Sequence, residues 1–137
     1  MTREPSLGSP VGLVGLLGLA GLVAVGGVIG SLARFGLVLA LPVRSGELPV
    51  ATLLVNLSGC LALGLLVGAR PDASRLRAFV GTGVLGGFTT FSAFALETDR
   101  LLADAPAWAV GYLALSVLGG LGGAALGLRL GARWASP

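Results

Sequence analysis

The chain is 137 residues long, 55% hydrophobic and only 11% charged, with a formal net charge of +3. A soluble domain carries roughly 25% charged residues, so this composition, with a mean hydropathy of +0.96, specifies an integral membrane protein. There is no His and no Lys, Cys60 stands alone, and every positive charge is an arginine; histidine chemistry, an internal disulfide, a multi-cysteine metal site and, for want of a basic run, nucleic-acid binding are excluded.

Residues 1–10 are a short polar start. The apolar run over 11–41, interrupted by Arg34, is longer than the roughly 7–15-residue apolar region of a signal peptide. It exceeds the ~20 residues that cross a bilayer and predicts the first span, with the excess projecting, tilting or lying at the interface. Pro42 and the polar residues 44–47 end it. The second span, 48–69, carries no charge, and Asn56 and Ser58 are its main polar interruptions. A charged loop follows over 70–77, then a third span over 79–97. The fourth span, 107–128, starts with Trp108 and Tyr112 as interfacial aromatics, and Arg129 and Arg133 open a tail over 129–137. The expected fold is an all-α membrane protein, one domain of four transmembrane helices over 11–128.

The third span is the unusual one. Gly86 and Gly87 weaken a helix through their backbone entropy, and Thr89 and Thr90 compete for backbone hydrogen bonds, so a break is expected in this stretch. A broken helix at membrane depth is tolerated where it packs in protein or lines a wet cavity. Transporters and channels use such breaks to offer free backbone groups to ions. Glycines also recur at four-residue spacing: Gly26 and Gly30, Gly64 and Gly68, Gly83 and Gly87, and the row Gly119, Gly123, Gly127 and Gly131. Each set shares a helix face and lets backbones approach closely in lipid, within a bundle or an oligomer.

Few side chains can carry chemistry. The Asn56 amide can donate to an anion or bridge helices, the second being the commoner use. Arg34 can anchor at an interface or attract anions to a vestibule. Phe91 and Phe94 share a face, and their electropositive ring edges suit an anion, although paired phenylalanines also serve as packing. Tyr112 and Ser116 share a face of the fourth span, and Glu97 is expected to pair or to sit at the interface. No nucleophile–base pair, phosphate loop or carboxylate dyad is present, so no enzyme is expected.

Three motifs then stand in order: residues 26–34, from Gly26-Gly27 to Arg34; residues 52–59, around Asn56; and residues 86–94, from Gly86-Gly87-Phe88-Thr89-Thr90 to Phe94, followed by Glu97. They resemble the motifs of the CrcB/Fluc fluoride channels over about residues 22–128. The resemblance implies a passive fluoride exporter of the plasma membrane that protects against fluoride toxicity. It implies an antiparallel dimer with two pores and a central sodium ion where the two broken third helices cross. Carried over by position, Asn56, Phe91, Ser92, Phe94, Tyr112 and Ser116 would line the pore. Arg34 and Glu97 would belong to the vestibule or scaffold, and Gly86 and Thr89 would offer carbonyls to sodium. Ala93 replaces the usual Thr, Gly120 stands where a third hydroxyl is expected, and Ala51 replaces a frequent Gly. A small multidrug-type transporter would need a carboxylate in the first two spans, and none is there. An accessory membrane subunit would explain the glycines but not the motifs.

Four spans put both termini and the middle loop on one side. That side holds Arg3, Arg70, Arg75, Arg77, Arg129 and Arg133, against Arg44, Arg100 and at most Arg34 on the other. Cytoplasmic loops carry the arginine excess, so both termini are expected inside. One dominant orientation then calls for an oppositely oriented homologous partner; a homodimer inserted both ways is the competing expectation.

Overall fold

The four apolar runs become four helical spans in the computed structural model, which describes residues 10–44, 46–70 and 74–135. Helix α1 is Pro10–Ala40 and α2 is Val50–Ala69. The third span, Ser74–Asp104, is in two pieces. Its first piece, α3 (74–88), starts as α-helix, widens into π turns over Arg77–Leu85 and returns to α over Gly86–Phe88. Its second piece, α4, is Phe91–Asp104, and the last helix, α5, is Pro106–Ala135. The expected polar start, apart from Pro10, lies outside the described residues, as do Ser45, residues 71–73 and residues 136–137.

At 31 residues, α1 is about 46 Å long at 1.5 Å per residue, well beyond a hydrocarbon core of about 30 Å. The last helix likewise passes the hydropathy limit at Leu128 and continues to Ala135, because Arg129 and Arg133 are compatible with helix outside the apolar core. Between α1 and α2 the chain turns with Glu47 N–H donating to the Arg44 carbonyl at 3.1 Å. Gly46 takes a φ of +78° there, a conformation L side chains avoid.

Lipid supplies no hydrophobic force between helices, so close backbone packing has to hold the bundle. Large apolar side chains accordingly face outward, and the fully buried ones are few, Val55 and Tyr112 being the largest. The glycine rows do the packing, in two parallel helix pairs. On one seam, Gly26 and Gly30 of α1 lie against Gly83 and Gly87 of α3; a methyl at Gly30 would overlap the Val84 carbonyl, and one at Gly87 the Gly27 carbonyl. On the other, Gly64 and Gly68 of α2 interlock with Gly127 and Gly131 of α5, where added methyls would strike the carbonyls of Ala124, Leu128, Leu61 and Leu65. The four-residue glycine row of α5 thus faces α2 within the chain, not a partner.

This packing separates the two expected causes of the break. The glycines and the threonines were both expected to weaken this stretch, yet Gly86 and Gly87 are helical, and Gly87 is there to let α3 approach α1. The interruption falls on the two threonines: Thr89 has ψ 157° and Thr90 has φ −148° and ψ 123°, both extended.

Candidate functional site

The break is held from three sides. Thr90 caps α4: its hydroxyl accepts from Ala93 N–H at 3.2 Å, satisfying one of the orphan donors of a helix N-terminus. From α2, Asn56 closes a two-point clamp on the same residue. Its Nδ2 donates to the Thr90 carbonyl at 2.9 Å, and its Oδ1 accepts Thr90 N–H at 2.8 Å. One turn along α2, Gly59 leaves room for the Thr89 side chain, whose Cγ2 occupies the space a methyl would need. From α1, the Ser31 hydroxyl donates to the Gly87 carbonyl at 3.3 Å.

These bonds have a consequence for the backbone oxygens. In a continuing helix, Gly86 would receive Thr90 N–H and Thr89 would receive Ala93 N–H. Both donors are diverted, to Asn56 Oδ1 and to the Thr90 hydroxyl. The two carbonyls lose the partners that would compete with a ligand. Carbonyl oxygens are hard donors, suited to a hard cation such as sodium, so these residues fit the ion that the resemblance implies. Among the described residues no cluster of three or more Cys, Asp or Glu offers a side-chain metal site.

Hollows lie on the two sides of α4. One, of about 380 Å³, brings together Asn56, Gly86, Thr89, Phe91, Phe94 and Ser116. The ring centroids of Phe91 and Phe94 are 5.8 Å apart, and Phe94 is 5.5 Å from Tyr112, so three aromatics form a continuous line. Phe91 is 79% exposed within the single subunit. The Ser116 hydroxyl is buried and makes no hydrogen bond among the described residues. Such an orphan costs on the order of 1–3 kcal/mol, and a ligand or water in the hollow would satisfy it.

The other hollow, of about 540 Å³, takes Arg34, Ser92 and Glu97, together with Ser31, Thr52 and Ala93. Ala93 puts a methyl on that wall where a hydroxyl had been expected. Glu97 is the acceptor for two hydroxyls, Thr52 Oγ1 and Tyr112 Oη, each at 2.8 Å. It also borders a charged recess at the end of the bundle with Arg44, Glu47, Arg100 and Asp104. Tyr112 is therefore a fully buried bridge between Phe94 and Glu97. The expected pore residues are thus divided between two hollows, with Tyr112 and Thr90 linking them. Gly120 packs against Cys60, its added methyl falling 3.4 Å from the sulfur, so the position is buried packing against α2.

Two participants had not been singled out from sequence, Thr52 and Ser31, and Thr90 had been read as a competitor for backbone hydrogen bonds without its capping role. Thr52 stands four residues before Asn56, on the same face of α2. Thr90 directly precedes an apolar helix and carries the side chain of an N-cap. Ser31 offered no signal beyond a hydroxyl one residue after Gly30.

The family described as CrcB-like protein, Camphor Resistance (CrcB), matches residues 21–128. A protein of Nocardia farcinica named fluoride-specific ion channel FluC 2 is 43% identical over 118 residues, covering 82% of this chain and 84% of that protein. The fluoride-specific ion channel FluC of Paracoccus denitrificans is 45% identical over 111 residues, covering 79% and 90%. FluC 2 of Bacillus subtilis is 41% identical over 112 residues, covering 80% and 84%.

Proposed function

The chain belongs to the CrcB family, and on that premise we propose that it is a fluoride-selective passive channel that lets fluoride leave the cytoplasm. The observation that carries the reading is the buried, unpartnered Ser116 hydroxyl in a hollow walled by Phe91 and Phe94, beside the Thr89–Thr90 break. Fluoride is small and strongly hydrated, so a pore has to replace its water with donors. Ser116 O–H, the second N–H of Asn56 Nδ2 and the electropositive ring edges supply them. Ser92 and Arg34 continue the donors on the other side of α4. Hydrogen fluoride enters a cell neutral and ionises inside; a passive path then suffices for export.

Phe91 supports a dimer. A ring that is 79% exposed beside a buried hydroxyl leaves the hollow open on one side. An antiparallel partner, bringing its own third span across this one, would close it. At that crossing the Gly86 and Thr89 carbonyls would hold a sodium ion, which would supply fixed positive charge between the subunits.

Purified protein in liposomes, alone or with an oppositely oriented homologue, should pass fluoride far faster than chloride; equal fluxes would sink the reading. Preparation with N-methylglucamine in place of sodium should abolish most of that flux, and restored sodium should recover it. Full flux after depletion would remove sodium from the proposal.

The chain spans the membrane, and the arginine excess at one end of the bundle favours that end for the cytoplasm. Arg70, Arg75, Arg77, Arg129 and Arg133 are all there, at the end of α2, the start of α3 and the end of α5. Alkaline phosphatase and fluorescent-protein fusions at the C-terminus should report an inside location only. Signals from both fusions would instead identify a homodimer with mixed insertion.

A further inference from the structure

The N-terminal half of α1 makes a third hollow that the channel reading does not use. It measures about 690 Å³ and runs between α1 and the start of α3, walled by Val14, Gly15, Gly18, Leu19 and Leu22 on one side and Arg75, Leu76 and Phe79 on the other. Two glycines create it: a methyl at Gly15 or Gly18 would meet nothing within 4 Å. These differ from Gly26 and Gly30 further along the same helix, which are filled by the backbone of α3. Residues 14–19 also precede the family match at 21–128, so the family does not account for them.

The walls are apolar except at one end. Arg75 lies in the first turn of α3, with Phe79 one turn deeper, so the hollow runs from a guanidinium at the end of the bundle into the apolar interior. Arg75 is exposed, and no acidic residue lines the hollow among the described residues. Four further arginines, Arg70, Arg77, Arg129 and Arg133, raise the positive potential at this same end. A hydrocarbon slot with a cation at its mouth complements an acyl chain with an anionic head, and basic recesses between transmembrane helices bind acidic lipid headgroups.

We infer that this groove holds one anionic phospholipid per subunit, its acyl chain along Gly18, Leu22 and Phe79 and its phosphate on Arg75. The inference is independent of what the pore conducts. A methyl at Gly18 meets nothing within 4 Å, so Gly18→Leu extends into open space in the slot, and Arg75→Gln removes an exposed charge; neither replaces a group that the backbone seams of the bundle use.

Native mass spectrometry of the detergent-purified protein, titrated with palmitoyl-oleoyl phosphatidylglycerol or phosphatidylcholine, tests it. One phosphatidylglycerol per subunit should survive release from the micelle, with phosphatidylcholine retained far less. Arg75→Gln should weaken retention about fivefold, the effect of one arginine beside an anionic lipid surface, and Gly18→Leu should abolish it. Arg44→Gln, at the opposite end of the bundle, should leave it unchanged. Equal retention of the two lipids, an Arg44→Gln loss as large as that of Arg75→Gln, or phosphatidylglycerol still bound to Gly18→Leu would each overturn the inference.

Discussion

Phe91→Ile should lower fluoride flux by about tenfold or more while the protein loses less melting temperature than Phe94→Ile does. A preorganised donor in a water-poor site is worth on the order of 10²–10³ in rate, and a ring edge is a weaker donor than an N–H, so the expected loss is set below that range, at about tenfold. The stability half of the expectation comes from exposure: a ring that is 79% exposed in the subunit contributes little to its packing. Phe94→Ile should cut flux to a similar degree, but besides the Phe91–Phe94 contact that either substitution gives up it also loses the contact with the buried Tyr112. Aromatic pairs are worth about 0.5–1.5 kcal/mol each, so this variant should melt at a lower temperature. Flux measured in liposomes beside thermal unfolding in detergent separates the two. Normal conduction by both variants would make the rings packing residues and remove them from the pore.

The sequence discloses the spans because hydropathy is a local property, and it discloses the glycine faces because helical periodicity is local too. It does not disclose which face meets which. Gly64 and Gly68 meet Gly127 and Gly131, and Gly26 and Gly30 meet Gly83 and Gly87, so both seams join helices that run parallel and are not neighbours in the chain. Four glycine sets at one spacing permit several pairings, and only the bundle selects among them. The break shows the same limit. Its neighbourhood was legible from Gly86 to Thr90, but glycine entropy and threonine hydroxyls both stood as causes, and local propensity does not choose between them. Tertiary contacts do: α1 holds Gly87 in a helix, and Asn56 takes the N–H that would have carried the helix past Thr90. Glu97 was legible as a pairing residue or an interfacial one, and its partners Thr52 and Tyr112 are 45 and 15 residues away. Hydroxyls that distant from a carboxylate leave no local pattern.

Asn56 had two readings in the sequence, an anion donor and a bridge between helices, and the geometry assigns it the bridge while leaving one N–H for the pore. Asn56→Leu should therefore do more than block conduction. It strands the N–H and the carbonyl of Thr90, a residue only 9% exposed. Each orphaned group costs about 1–3 kcal/mol, against a total stability of about 5–15 kcal/mol for a typical domain. The nearest escape is for Thr90 N–H to return to the Gly86 carbonyl, which straightens the third span and withdraws an oxygen from the proposed sodium site. Flux should fall below detection, the melting temperature should drop further than in Phe91→Ile, and added sodium should no longer stabilise the protein against heat. Asn56→Asp keeps an acceptor for Thr90 N–H and loses the donor, so it should retain more stability than Asn56→Leu while conducting poorly, because a carboxylate repels fluoride. An Asn56→Leu protein that melts like the parent, still responds to sodium and merely fails to conduct would make Asn56 a pore donor alone, with the clamp contributing nothing to the break.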